Sequence, residues 1–227
     1  MASDLHEGHR QRLKNRFLAE GIDSFEEHEV LELLLFFSIP RMDTNELAHA
    51  LIRRFGSLAE VLDAPYEELL KVKGVSENTA VLLKLEPSLA RAYLESRRAG
   101  EMLDSSRKLG EFFVDRFVGR TKEIVFLLCL DSSLNVINCD IIAEGSISAS
   151  TLDIRMIVEK VIRHSACRVV LAHNHPRGIA VPSNEDVITT RQVRRALALL
   201  GIELIDHIIV AGKEYYSMSE SYPDFAL

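Results

Sequence analysis

The sequence predicts an α+β protein: a small all-α domain, then an α/β domain with a mixed sheet flanked by helices. Three observations predict it. Residues 1 to about 96 carry apolar positions at helical spacing and no strand alternation. After residue 105, β-branched apolar runs and amphipathic stretches follow in the order α, β, β, α, β, α, β, β. Between the two parts lies Ser96 to Ser106, charged and rich in small residues, which reads as a linker. The domains are therefore taken as 1–100 and 105–227.

In the first part, Ser24 to Phe37 has one apolar face through Val30, Leu31, Leu34 and Leu35, and Pro40 ends it. Asn45 to Phe55 repeats Leu47, Ala48, Leu51 and Ile52 at helical spacing, with Gly56 as its stop. Ser57 to Asp63 is a short helix, and Pro65 opens the next, which runs through Leu69 and Leu70. A tight turn at Val72–Ser76 leads into a helix from Glu77 to about Glu86. Pro87 marks a kink or the start of a last helix, Ser88 to Arg98.

The segment Leu69 to Leu83 resembles a helix-hairpin-helix motif, which implies backbone contact with a DNA phosphate through Lys73, Gly74, Val75 and Ser76. This chain departs from the motif in having Ser76 where a second glycine usually stands, and in opening the helix with acidic Glu77. The expected contact is weak and non-specific, and a purely structural hairpin is the plainer reading. A net charge of −7 gives no global attraction for nucleic acid.

In the second part, Leu109 to Phe117 reads as a helix. Glu123 to Leu130 is apolar on both faces, so it belongs inside a sheet. Ser132, Ser133 and Asn135 turn the chain into a second strand, Val136 to Glu144. Leu152 to Ser165 is an amphipathic helix with Ile154, Ile157, Val158, Val161 and Ile162 inward. A strand through Arg168–Leu171 follows, then a helix from Asn184 to Leu200 closed by Gly201. The last strands are Ile202 to Ala211 and Glu214 to Met218, parted by Gly212-Lys213.

The apolar share of 47% is ample for a core, and no run of eighteen apolar residues suggests a membrane span. Met1 to Arg16 is polar and charged, unlike a signal peptide, so a cytoplasmic protein is expected. Cys129, Cys139 and Cys167 are odd in number and lie in apolar segments, so they read as reduced, buried small hydrophobes.

The chemistry concentrates in Ala172–Asp186. His173 and His175 are two apart, so on a strand both imidazoles face one side. Pro176, Gly178 and Pro182 force a loop, and Ser183 opens a helix with Asp186 in its first turn. Ser183 and Asp186 form a capping box on any reading. Two imidazoles and a carboxylate meeting there also make a three-ligand site, and Zn2+ with a fourth position open to water is the preferred occupant. Cys167 is about 20 Å from His173 along an extended strand, which discounts it as a ligand. A general base would complete a hydrolytic site, and Glu123, Asp140, Glu144 and Glu185 are candidates that pattern alone does not separate. His207, in an apolar strand, is read as a structural histidine. Arg191, Arg194 and Arg195 read as a solvated basic helix face.

His173-Asn174-His175, seven residues, then Ser183-Asn184-Glu185-Asp186 resembles the JAMM signature of MPN (JAB, cytidine-deaminase-like) metalloprotease domains. With Pro176, Gly178, Pro182 and the helical front end, nearly the whole chain resembles the bacterial RadC (UPF0758) family. The resemblance implies metal ligands His173, His175 and Asp186, an oxyanion-stabilising Ser183, and Glu123 as base. It implies metal-dependent hydrolysis of a peptide or isopeptide bond in an unknown protein substrate. One departure is Asp153-Ile154-Arg155-Met156 where RadC-like chains often carry His-Pro-Arg-Glu. The competing reading is a DNA-associated, repair-type protein whose metal is structural. A zinc deaminase is a weaker third, since the cysteines lack C-x-x-C spacing.

Overall fold

The computed structural model describes residues 2–98, 100–145 and 152–222. Residues 146–151 and 223–227, within the span assigned to the second domain, lie outside it. The chain divides into two compact units, Met1–Leu89 and Ala90–Leu227.

The first unit is helical: α1 (Ala2–Glu20), α2 (Glu27–Ser38), α3 (Asn45–Phe55), α4 (Leu58–Asp63), α5 (Tyr66–Leu70) and the start of α6 (Glu77–Arg97). Leu31, Leu35, Ala48, Leu51, Val61, Leu69, Ala80 and Leu83 form its core. Local signals set the helix ends. Gly56, at φ +112°, closes α3 through its N–H to the Ile52 carbonyl. Ser57 caps α4 by accepting from Glu60 N. The α2 helix starts three residues later than Ser24, because Glu26 and Glu29 cap each other's backbone N–H groups. Pro87 neither ends nor restarts a helix; it lies inside the single helix α6. The division between units falls within α6, ahead of the stretch read as linker.

The second unit continues with α7 (Ser106–Arg116), β1 (Ile124–Leu130), β2 (Val136–Glu144), α8 (Ile154–Arg163) and β3 (Arg168–Asn174). It ends with α9 (Asn184–Ala198), β4 (Glu203–Ala211), β5 (Glu214–Ser217) and the short α10 (Met218–Ser221). The sheet order is β2-β1-β3-β4-β5. Among the described strands only β3 and β4 pair in parallel, joined by α9, so the sheet is mixed and the fold is α+β.

Strand β1 is buried along its whole length because both sheet faces are covered. Phe126, Leu128 and Leu130 pack with Leu109, Phe113 and Phe117 of the α7 side. Val125, Leu127 and Cys129 pack with Ile157 and Val161 of α8 and Val193 and Leu197 of α9. Asp131 sets the β1–β2 turn, its Oδ1 accepting from Ser133 N and Asn135 N.

Three side-chain expectations and one strand end are corrected. Ile162, taken as inward, is 57% exposed, because the stripe of α8 that meets the sheet centres on Ile157 and Val161. Among the cysteines only Cys129 is buried; Cys139 is half-buried on the edge strand β2, and Cys167 is exposed at the entry to β3. The last strand stops at Ser217, whose hydroxyl accepts from Glu220 N and starts α10. Among the described residues no helix is long and apolar enough to cross a membrane.

Candidate metal centre

Strand alternation puts His173 on the α8/α9 face, in step with Val169 and Leu171. His175 lies just past the strand, and its N–H still reaches the Val210 carbonyl at 2.8 Å, which extends the β3–β4 ladder by one rung. The two Nε2 atoms come to 3.0 Å from each other. Loop 176–182 then brings the start of α9 back over them, and Asp186 Oδ1 lies 3.4 Å from His173 Nε2.

The capping box and the site use different oxygens of one carboxylate. Asp186 Oδ2 accepts from Ser183 N at 2.7 Å and Ser183 Oγ at 2.6 Å, while Ser183 Oγ accepts from Asp186 N. That leaves Oδ1 aimed at the histidines. Burial alone would raise the Asp186 carboxyl; the hydrogen bond and charge of His173 and the two Ser183 donors outweigh it. They hold the group below the usual carboxylate range.

Glu123 arrives from the residue before β1. Asn174, between the two histidines and on the opposite face, anchors it. Its Oδ1 accepts from Ile124 N at 2.8 Å, and its Nδ2 donates to the carbonyls of Lys122 at 3.0 Å and Arg120 at 3.4 Å. Both flanks of Glu123 are thereby tied to the strand that carries the histidines. One ligand atom each from Glu123, His173 and His175 lies within 4.8 Å of the others, an arrangement able to hold a metal ion.

Glu123, His173, His175, Ser183 and Asp186 all line one cleft of about 200 Å³, with Val125, Leu152, Glu185, Thr189 and His207. Pockets for drug-sized ligands span about 300–1,000 Å³, so this volume suits an ion with its water and one small polar group. Two of the four base candidates are elsewhere engaged. Asp140 pairs with Lys160 and His164, both at 3.2 Å, and Glu144 pairs with Lys122 at 3.2 Å.

His175 Nδ1 lies 2.8 Å from the Ile179 carbonyl. A carbonyl only accepts, so Nδ1 carries a proton and Nε2 of the neutral ring presents a lone pair to the cleft. His207 is buried, and its Nε2 lies 2.8 Å from His173 Nδ1. Burial and the neighbouring His173 push His207 down to about 3, so it is neutral. Sequence reasoning read His207 as a structural histidine, which its burial and its two partnered ring nitrogens agree with, and gave Asn174 no role. The available signal was the same for both, a polar side chain inside an otherwise apolar strand.

The hairpin of the first unit is built as the motif suggests. Gly74 takes φ +99°, and Val75 N donates to the Val72 carbonyl. Ser76 Oγ accepts from Thr79 N at 3.2 Å, so one first-turn donor of α6 is already used within the chain. Lys73, Gly74 and Ser76 are exposed.

Residues 103–222 match the family model of the RadC-like JAB domain, and residues 5–81 match that of the UPF0758 N-terminal region. A UPF0758 protein of Psychrobacter cryohalolentis is 35% identical over 226 residues, covering 98% of each chain. One of Psychrobacter arcticus is 34% identical over 221 residues, covering 96% of each. One of Fusobacterium nucleatum is 32% identical over 228 residues, covering 97% of this chain and 98% of that one. With its helical front end and its mixed five-stranded sheet, this chain belongs to the UPF0758 family and carries a RadC-like JAB domain.

Proposed function

We propose that the protein is a zinc-dependent hydrolase of JAMM type that cleaves a peptide or isopeptide bond. The observation that carries this reading is the convergence of acceptors in the cleft. His173 Nε2, His175 Nε2 and Asp186 Oδ1 meet at 3.0 and 3.4 Å. Ligands about 2.0–2.1 Å from a tetrahedral zinc lie roughly 3.3 Å apart, and zinc takes this mixture of imidazole and carboxylate. His173, His175 and Asp186 would hold the ion. Zinc bound there supplies a water acidic enough to ionise near neutral pH and polarises a carbonyl.

The chain's own groups do the rest. Glu123, fixed on both sides by Asn174, takes a proton from the attacking water and returns it to the leaving amine. Ser183, at the cleft wall, turns its hydroxyl from Asp186 Oδ2 to the developing oxyanion.

The test is elemental analysis of the purified protein, prepared without chelator, beside His173→Ala/His175→Ala. About one zinc per chain, absent from the double variant, is expected. Hydrolysis of peptide and isopeptide substrates that Glu123→Ala abolishes while keeping its zinc then completes the case. Absence of stoichiometric metal from the wild type overturns the reading. The DNA-associated alternative, through Lys73, Gly74, Val75 and Ser76, has less behind it. Ser76 spends a backbone donor on its own cap, Glu77 opposes phosphate, and the chain carries net negative charge. A strongly salt-dependent DNA affinity would reinstate it.

A further inference from the structure

We propose that His207, with Thr190, is a positioning residue that locks His173 in the tautomer and ring orientation a metal ligand needs; this rests on the metal reading above. Thr190 Oγ1 lies 2.6 Å from the backbone carbonyl of Asp186, one helical turn earlier in α9. Its single hydroxyl proton must point there, because the carbonyl has none to offer. Thr190 Oγ1 also lies 2.6 Å from His207 Nδ1, and with its own proton committed it can only accept. His207 Nδ1 therefore carries a proton.

His207 is 2% exposed, and no ion pair with a carboxylate is found for it among the described residues, so its ring is neutral and Nε2 is an acceptor. His173 Nδ1, 2.8 Å away, donates to it. With Nδ1 committed to donating, Nε2 is the nitrogen of His173 left to face His175 and Asp186, and it would present a lone pair there when a metal replaces its proton. One chain of hydrogen bonds, anchored on the Asp186 peptide group, thus sets the chemistry of a ring in another element. The anchor belongs to the same residue whose side chain completes the ligand set. The two histidines of the cleft are oriented alike, His175 by the Ile179 carbonyl and His173 by a buried imidazole.

Outer partners of ligating histidines are commonly carboxylates, carbonyls or waters, and losing one typically costs about 10–100-fold in metal affinity. The experiment is zinc affinity by chelator competition for wild type, His207→Phe, His207→Gln and Thr190→Val. It is joined by ¹H–¹⁵N NMR of the imidazole nitrogens in the zinc-loaded protein. His207→Phe is expected to lose about 10–100-fold in affinity. His207→Gln, whose amide can accept from His173 and donate to Thr190, is expected to recover most of that loss. Thr190→Val keeps the shape and guards against a His207 variant that does not fold; it is expected to weaken zinc and scramble the His173 tautomer. In wild type, His173 is expected as the Nδ1–H form. Unchanged affinity in His207→Phe and Thr190→Val, or an Nε2–H form of His173, overturns the proposal while leaving the metal reading standing. A wild type that takes up no zinc overturns both.

Discussion

Asn174→Ala tests the geometry of the site through stability alone. Asn174 is 4% exposed and makes three hydrogen bonds to backbone groups about fifty residues earlier in the chain. Alanine leaves the Ile124 N–H without a partner, and Ile124 is itself 2% exposed. A buried donor stripped of its acceptor costs about 1–3 kcal/mol. The Lys122 carbonyl loses a 3.0 Å bond, a further loss of about 1 kcal/mol, and the 3.4 Å bond to Arg120 adds little. The expected destabilisation is about 2–4 kcal/mol. Urea unfolding followed by far-UV circular dichroism measures it, since the chain has no tryptophan to report by fluorescence. Asn174→Asp keeps an acceptor for Ile124 but turns a carboxylate oxygen toward two carbonyls, so it does not rescue. A change of less than about 0.5 kcal/mol in Asn174→Ala, the size of an ordinary surface substitution, would refute the claim that this side chain holds Glu123 in place.

Other expectations follow from single contacts. A methyl group at Gly110 would come under 3.0 Å from three ring carbons of Tyr215. Gly110→Ala should therefore lower stability by about 1–3 kcal/mol in a thermal melt, and an equal or higher melting temperature would show that the ring gives way. Ser183→Ala removes the α9 cap and should cost about 0.5–2 kcal/mol, with Ser183→Thr close to wild type by the same assay. Burial pushes the Cys129 thiol up to about 11, so it stays protonated at pH 9, while Cys167 is exposed. A disulfide reagent should label Cys167 first in the folded protein and reach Cys129 only on unfolding; mass mapping decides it. The same shift has a definite sign for stability. The unfolded chain releases that proton near the ordinary value of 9.0 and the folded chain does not, so this contribution is full below pH 9 and is lost as pH rises toward 11.

What was legible in the sequence was local. The α3 helix lies between its polar start and Gly56 as read, because both end signals sit within the segment they delimit. Strand β1 declared its interior place by being apolar on both faces, and the pairing of His173 with His175 followed from the two-residue repeat alone. What was not legible depends on what other elements cover. Ile162 lies on the apolar side of α8 by periodicity, but that side is wider than the sheet contact. The significance of His207 comes from a neighbour 34 residues away, across a parallel strand pair whose register nothing local encodes. Asn174 looked like a spacer between ligands, and its bonds reach back 50 to 54 residues.

The parallel pairing of β3 with β4 has a consequence for the order in which the protein is made. The histidine pair, the acidic helix start and Glu123 are all synthesised before β4 exists. Yet His207, and the Val210 carbonyl that holds the His175 backbone, come only with that strand. On a growing chain the cleft lacks one wall until α9 has crossed over and β4 has left the ribosome. Until then His173 and His175 sit at an unpaired strand edge, and His173 lacks the buried imidazole that its Nδ1 meets in the folded protein. Assembly of the cleft is then a late event, tied to closure of the crossover, and a chain cut short before Glu203 would carry His173, His175 and Asp186 without the strand that completes their surroundings.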